Sequence, residues 1–82
     1  MDIEIIKPLS ERFTLEDAFS SMYSTVIPLE SEYEALSLEE IGVILGVMDT
    51  ESEIELVIRF ADDVRLYTKE QFERELKVYE EQ

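Results

Sequence analysis

The chain has 82 residues, a formal net charge of −14 at pH 7, and no Cys or His. Without Cys or His it lacks the ligands of common zinc sites and the residues of Cys–His nucleophiles and Ser–His–Asp triads. The acidic excess disfavours direct binding to DNA, RNA or anionic lipid, and no apolar run is long enough to span a membrane. The hydrophobic content of 45% predicts one folded domain over residues 1–82.

From this composition we expect a cytoplasmic protein, in the host cytoplasm if a phage encodes it, with no cofactor, no bound metal and no enzymatic activity. The absence of Cys fits a reducing compartment.

The acids are unevenly placed. Residues 13–58 contain eleven Asp and Glu but no Lys, Arg or His. Residues 1–58 carry a net charge of −12, and residues 59–82 carry −2. Like charges concentrated in this way repel one another, so the pattern predicts a partner of opposite sign, namely a basic protein.

The first elements in chain order are a strand and a helix. Alternating apolar residues predict a strand over 2–6, which Pro8 ends. Thr14 and Asp17 are spaced as a helix cap, and apolar residues at helical spacing follow, so we expect a helix over 15–23.

The middle of the chain is less definite. Residues 29–36 are an acidic connection that has room for a short helical turn. For residues 38–48 two interpretations stay open. Ser37 and Glu40 are spaced as a capping box and predict a helix over 38–45. The β-branched, glycine-containing run after Glu40 instead favours a strand, which is the interpretation we prefer.

The last third reads as a hairpin followed by a helix. Residues 53–60 and 64–67 predict two antiparallel strands joined by a turn. Thr68 caps the last helix, whose core-facing residues are Phe72, Leu76 and Tyr79. Expected surface ion pairs on that helix are Glu70–Arg74 and Glu73–Lys77.

These elements predict an α+β fold, with a small antiparallel sheet of three to four strands packed by two to three short helices. Phe13, Phe19, Phe72 and Tyr79 are expected in the core, because they lie on apolar faces.

The most suggestive constellation is Glu51, Glu53 and Glu55. On a strand, alternate side chains point the same way, about 6.6–6.8 Å apart, which is on the scale of phosphate spacing along a nucleic-acid strand. An ordinary solvated strand face is the simpler alternative. Tyr33, flanked by acids, is a candidate anchor, since Tyr is enriched at interface hot spots. The predicted partner-binding residues are Glu30, Glu32, Tyr33, Glu34, Glu39, Glu40, Asp49, Glu51, Glu53 and Glu55.

Competing motifs fit poorly. A calcium loop starting at Asp49 would have Ile54 where glycine is required and Phe60 where the closing acid belongs. Residues 35–47 resemble the start of a helix-turn-helix, but the next segment would bring acids toward phosphates. The adjacent pairs Glu39/Glu40 and Asp62/Asp63 are simplest as exposed groups.

In size, charge and mixed α/β character the chain is similar to phage-encoded DNA mimics, including anti-CRISPR and anti-restriction proteins. This compositional resemblance implies a non-enzymatic inhibitor that occupies the basic nucleic-acid cleft of a nuclease or other nucleic-acid enzyme. Two alternatives stay open: an immunity protein or antitoxin that neutralises a basic toxin, and a small structural or assembly subunit that pairs with itself. The sequence leaves the oligomeric state undetermined.

Overall fold

The computed structural model describes residues 12–80, so the strand predicted over 2–6 lies outside the described residues. Two α-helices and five strands follow one another, with two short 3-10 turns between the first two strands. Their bounds are α1 Leu15–Ser20, β1 Thr25–Pro28, 3-10 turns Tyr33–Ala35 and Leu38–Glu40, β2 Gly42–Asp49, β3 Ile54–Phe60, β4 Asp63–Tyr67, α2 Lys69–Glu75 and β5 Leu76–Tyr79.

The strands form one antiparallel sheet in the order β4-β3-β2-β1-β5. The predicted α+β fold with a small antiparallel sheet is confirmed, but the predicted three to four strands were too few. The additional pairing joins β1 to β5, two four-residue strands about fifty positions apart along the chain. Neither strand has a long alternating pattern, and each forms because the other completes its hydrogen bonds.

Helix α1 begins as predicted and ends early. The Thr14 hydroxyl accepts a hydrogen bond from the Asp17 N–H at 3.0 Å, which caps the first turn. At the other end the Ser20 and Ser21 hydroxyls donate to the Asp17 carbonyl, at 2.9 and 2.8 Å. Tyr23 then adopts a left-handed φ of 68°. Competing side-chain hydrogen bonds therefore stop the helix at Ser20 rather than at residue 23.

Residues 38–48, for which both a helix and a strand were considered, contain a short helical turn followed by a strand. The Ser37 N–H and hydroxyl both donate to Glu40 Oε1, and this box supports only the single 3-10 turn Leu38–Glu40. Strand β2 begins two residues later and runs for eight residues. The preferred strand interpretation of 38–48 is therefore confirmed from Gly42 onward, and the helix over 38–45 is wrong.

Helix α2 is capped as predicted but is shorter. Thr68 Oγ1 accepts from the Gln71 N–H, while Gln71 Oε1 accepts from the Thr68 N–H, at 3.2 and 3.1 Å. The chain then turns extended at Leu76 to form β5. Because Lys77 is on a strand, the expected Glu73–Lys77 pair does not form on a helix, and Glu73 instead pairs with Lys69 at 3.8 Å.

The core lies between one face of the sheet, which we call the core face, and the two helices. Its fully buried side chains include Val26, Ile44, Leu56 and Ile58, and Ala18 of α1 packs against them. Burial of such aliphatic side chains contributes about 1.5–3 kcal/mol each.

Gly42 permits the closest approach in this core. A Cβ there would lie 2.8 Å from Ile58 Cγ2, 2.8 Å from Phe60 Cε1 and 2.9 Å from Val26 Cγ2. Only glycine therefore lets β1, β2 and β3 pack this tightly at the core face.

The opposite surface, which we call the outer face, is changed by a bulge in β2. Ile44 pairs with Ile58 and Gly46 pairs with Val57, so Leu45 is an extra residue between them. Because Ile44 and the paired Val47 both belong to the core face, the two residues between them both fall on the outer face. The bulge thereby keeps both halves of β2 in the core.

Candidate partner-binding surface

The predicted partner-binding residues separate into two sets at opposite ends of the β2–β3 hairpin. The hairpin-end group lies around the tip of that hairpin and consists of Asp49, Glu51, Glu53 and Glu55. The connection group lies between β1 and β2: Glu30, Glu32, Tyr33, Glu34, Glu39 and Glu40. Since β2 spans seven residue steps, the two groups are about 23 Å apart along the strand.

The hairpin-end group is organised by Thr50. Its N–H donates to the Glu53 carbonyl at 3.0 Å, its Oγ1 donates to the same carbonyl at 2.6 Å, and the Glu53 N–H donates back to Oγ1 at 3.1 Å. These bonds hold Glu53 in the turn, so β3 starts only at Ile54.

The predicted row of Glu51, Glu53 and Glu55 on one strand is therefore not formed. Glu51 is exposed in the turn, whereas Glu53 and Glu55 are half-buried. A tight turn places its residues by its own hydrogen bonds rather than by the two-residue period of a strand. The hairpin-end group is thus a cluster around a turn rather than a row along one strand.

The connection group is held by two 3-10 turns. Glu30, Glu32 and Glu34 are exposed, and so are Glu39 and Glu40. One oxygen of Glu40 is used within the protein, because it accepts from Ser37. The remaining carboxylates of this group extend from a backbone that is fixed at both turns.

Tyr33 is the aromatic residue of this surface. Its ring stacks on that of Tyr79, with centroids 4.3 Å apart and planes 19° apart, and 39% of the side chain stays exposed. Stacking fixes the ring without burying it, which reduces the conformational entropy that would be lost on binding.

Sequence reasoning missed exposed apolar residues near the acids. Leu38 is 82% exposed and directly precedes Glu39. Phe19, which was expected in the core, is 59% exposed, whereas Tyr67 is buried. The one feature of the sequence that could have indicated an exposed Leu38 is its position directly after Ser37, which caps a short turn.

The described ion pairs lie in the last part of the chain, whereas Arg12 and Lys77 line grooves beside the hairpin-end group and the connection group. Within residues 12–80 the described ion pairs all lie between positions 63 and 75: Asp63–Arg65 at 2.7 Å, Lys69–Glu73 and Glu70–Arg74 at 3.8 Å, and Arg74–Glu75 at 3.9 Å. The hydrogen bond from Arg65 to Asp63, and then that to Tyr67, raises the pKa of Arg65. Neither acidic group takes part in these pairs.

Other chemistry finds little support in this surface. In the part of the chain that the structure describes, no cluster of three or more acidic side chains is arranged to hold a metal ion. Neither helix within residues 12–80 is long and apolar enough to cross a membrane. The segment that resembled a helix-turn-helix contains the 3-10 turn Leu38–Glu40 followed by the first six residues of strand β2.

Comparisons with protein-family models, curated proteins and solved structures gave no match to this chain. Its own chemistry must carry the functional argument. That chemistry is two rigid acidic groups, a stacked Tyr and an exposed Leu, with the described ion pairs elsewhere.

Proposed function

We propose that this protein is a non-enzymatic acidic inhibitor that binds the basic nucleic-acid cleft of a nuclease or other nucleic-acid enzyme. The observation that carries the proposal is the base-free stretch of residues 13–58, in which nine of the eleven acids belong to the hairpin-end group or the connection group. A basic cleft offers the opposite charge, and long-range attraction would steer the two proteins together.

The spacing of the two groups supports a two-point contact. Their separation of about 23 Å equals about seven phosphate steps at the 3.4 Å rise of one strand. An enzyme that binds a duplex over that length has cations near both ends of the bound segment. The protein then replaces two separated sets of phosphates rather than an unbroken backbone.

Apolar contacts would complete the complex. Electrostatic attraction mainly raises the association rate, and dissociation is slowed by a few well-packed side chains. Tyr33, a member of the connection group, and Leu38, which directly precedes Glu39 of that group, are exposed and would supply such contacts. Replacing either with Ala should therefore increase the dissociation rate more than it lowers the association rate.

The first test is an affinity pull-down from bacterial lysate at about 50 mM and about 300 mM salt, with nuclease treatment and mass spectrometry. One nucleic-acid enzyme retained at both salt concentrations supports the proposal. Diffuse basic proteins at low salt, with nothing retained at high salt, would contradict it, because such binding reflects charge alone.

Competition then distinguishes cleft binding from other inhibition. A duplex substrate should displace the protein from the captured enzyme. A captured toxin that still binds nucleic acid in the complex would instead indicate an immunity protein or antitoxin that acts outside the cleft.

Charge reversal tests the two groups separately. Asp49→Lys with Glu51→Lys changes the hairpin-end group, and Glu34→Lys with Glu39→Lys changes the connection group. Each pair should weaken inhibition by about tenfold or more if both ends contact the enzyme. The matched control, Glu70→Lys with Glu73→Lys, makes the same charge change on α2. An equal loss from all three pairs would show that net charge, rather than these groups, determines binding.

A further inference from the structure

The outer face of β2, β3 and β4 presents an exposed apolar patch that the acidic inhibitor proposal does not use. Register places Val57 between Gly46 and Leu66, and Val64 beside Arg59. Four of the apolar side chains are strongly exposed: Leu45 41%, Met48 45%, Val64 56% and Leu66 43%. Together with the half-buried Val43 and Val57, these six residues form what we call the outer patch.

The rest of the outer face is covered, so this patch is distinct. Ile27 of β1 is only 3% exposed, and it shares a groove with residues 31–34 and with Tyr79 of β5. The connection between β1 and β2 thus folds over one half of the outer face. Both α-helices pack on the other side of the sheet, where Ala18 and Phe72 meet the core. The outer patch itself stays open, because Leu45, Met48, Val64 and Leu66 are each more than 40% exposed.

The two charged residues on this part of β3 are arranged symmetrically. Glu55 and Arg59 lie two residues before and two residues after Val57, on the same face. They are therefore about 13 Å apart, with the apolar patch between them. Arg59 is exposed, and its Nε donates to the Ala61 carbonyl at 2.7 Å, so this hydrogen bond does not use the two terminal guanidinium nitrogens.

We infer that the outer patch is a dimerisation surface that takes a second copy of this chain. A two-fold axis that lies in the plane of the interface, over Val57 and perpendicular to β3, would place Arg59 of each copy opposite Glu55 of the other. The surface is thus self-complementary in charge as well as apolar, which is the requirement for an isologous interface. A basic partner would not match it, because this face carries one cation and one anion.

The size of the patch indicates a weak dimer. It extends about 17 Å along β2 and about 10 Å across three strands, which buries only a few hundred Å² per copy. Stable complexes bury about 800 Å² per partner, so we expect dissociation constants in the micromolar range or weaker. The acidic groups of the two copies repel one another, and this repulsion is reduced in added salt.

Sedimentation equilibrium of the full chain in about 0.5 M salt, from about 5 µM to about 1 mM, tests the inference. We expect a monomer–dimer equilibrium. Leu66→Lys on the exposed edge strand should weaken dimerisation by about tenfold or more, whereas Phe19→Lys, an equal change on α1 away from the patch, should leave it unchanged. A chain that stays monomeric throughout would overturn the inference, as would a dimer insensitive to Leu66→Lys.

Mixing two charge variants tests the symmetry itself. Glu55→Arg alone and Arg59→Glu alone each oppose like charges across the axis, so each should be monomeric. Combined in equal amounts, they should form a heterodimer in which both opposed pairs again have opposite signs. Circular dichroism of each variant confirms that it is folded. If the two folded variants do not associate when they are mixed, this geometry is excluded. It is also excluded if either variant alone still forms a dimer. Because Glu55 also belongs to the hairpin-end group, the inhibitor proposal is tested separately by its own charge-reversal pairs, Asp49→Lys with Glu51→Lys and Glu34→Lys with Glu39→Lys, which leave the outer patch, Glu55 and Arg59 unchanged.

Discussion

Residues 13–58 and residues 59–80 contribute to one sheet but treat their charges in opposite ways. The second region pairs its acids locally: Asp63, Glu70, Glu73 and Glu75 each lie within 4 Å of an Arg or Lys. The first region has no Lys or Arg with which to do so. Yet it supplies most of the fully buried side chains, including Val26, Ile44 and Ile58.

In the first region, buried apolar side chains stabilise the fold, and a separate set of side chains carries the charge. Apolar burial must exceed the repulsion among the exposed carboxylates, since the ion pairs described within residues 12–80 all lie in the second region. In the second region the pairs are exposed, and each contributes only about 0.2–1 kcal/mol. The closely spaced acids of residues 13–58 are therefore expected to weaken the fold modestly.

The largest expected effect comes from breaking the core that the first region supplies. Ile58→Ala removes a side chain that is 0% exposed, and the cavity should lower the free energy of unfolding by about 2–5 kcal/mol. That is a large fraction of the stability of a small domain. Urea denaturation followed by circular dichroism measures the change. Val64→Ala, at an exposed site of the second region, should change stability by less than about 0.5 kcal/mol.

A smaller loss should follow from adding one methyl group to the same core. Gly42→Ala places a Cβ under 3 Å from three side-chain atoms, and relieving this overlap should cost about 1–3 kcal/mol. The matched variant is Gly46→Ala, whose Cβ would meet Val57 at an ordinary 3.9 Å. Equal losses of thermal stability in the two variants would contradict the close packing described for Gly42.

The two helix caps compare the regions directly. Thr68→Ala removes one side of a reciprocal capping box and should cost about 1 kcal/mol. Thr14→Ala removes a single hydrogen bond from a six-residue helix and should cost less. Thermal denaturation of both variants checks the order, and Thr→Ser at either position should retain most of the stability. A larger loss at Thr14 would show that α1 contributes more than its length indicates.

How far the sequence predicted these features depended on how local the deciding interactions are. The caps at Thr14 and Thr68 were predicted because each involves residues three apart. The β3–β4 hairpin was predicted because alternation and a turn signal agree. Strands β1 and β5 were missed because each is stabilised by the other across about fifty residues.

For the candidate surface, the sequence indicated which residues carry the acidic charge but not how these residues are arranged. The base-free stretch identified which residues carry unbalanced charge. The prediction that Glu51, Glu53 and Glu55 form a row on one strand was wrong. Hydrogen bonds between Thr50 and Glu53 keep residues 50–53 in the turn, so β3 begins only at Ile54. The periodicity of the sequence does not reveal such bonds. Likewise, the outer patch depends on the Leu45 bulge, which only the paired strands define.

The smallest expected effect tests the electrostatic comparison itself. Glu51→Lys adds a cation to the acidic region and should raise the free energy of unfolding by a few tenths of a kcal/mol, because it relieves repulsion. Glu73→Lys makes the same charge change on α2, but it replaces a pair with Lys69 by two like charges and should lower stability by about 0.2–0.5 kcal/mol. Urea denaturation at about 20 mM and about 500 mM salt should show opposite signs at low salt and convergence at high salt. Equal signs at low salt would mean that net charge alone governs stability, and the contrast between the two regions would then have no energetic consequence. Opposite signs would show that position decides the effect, since both variants change the net charge from −14 to −12.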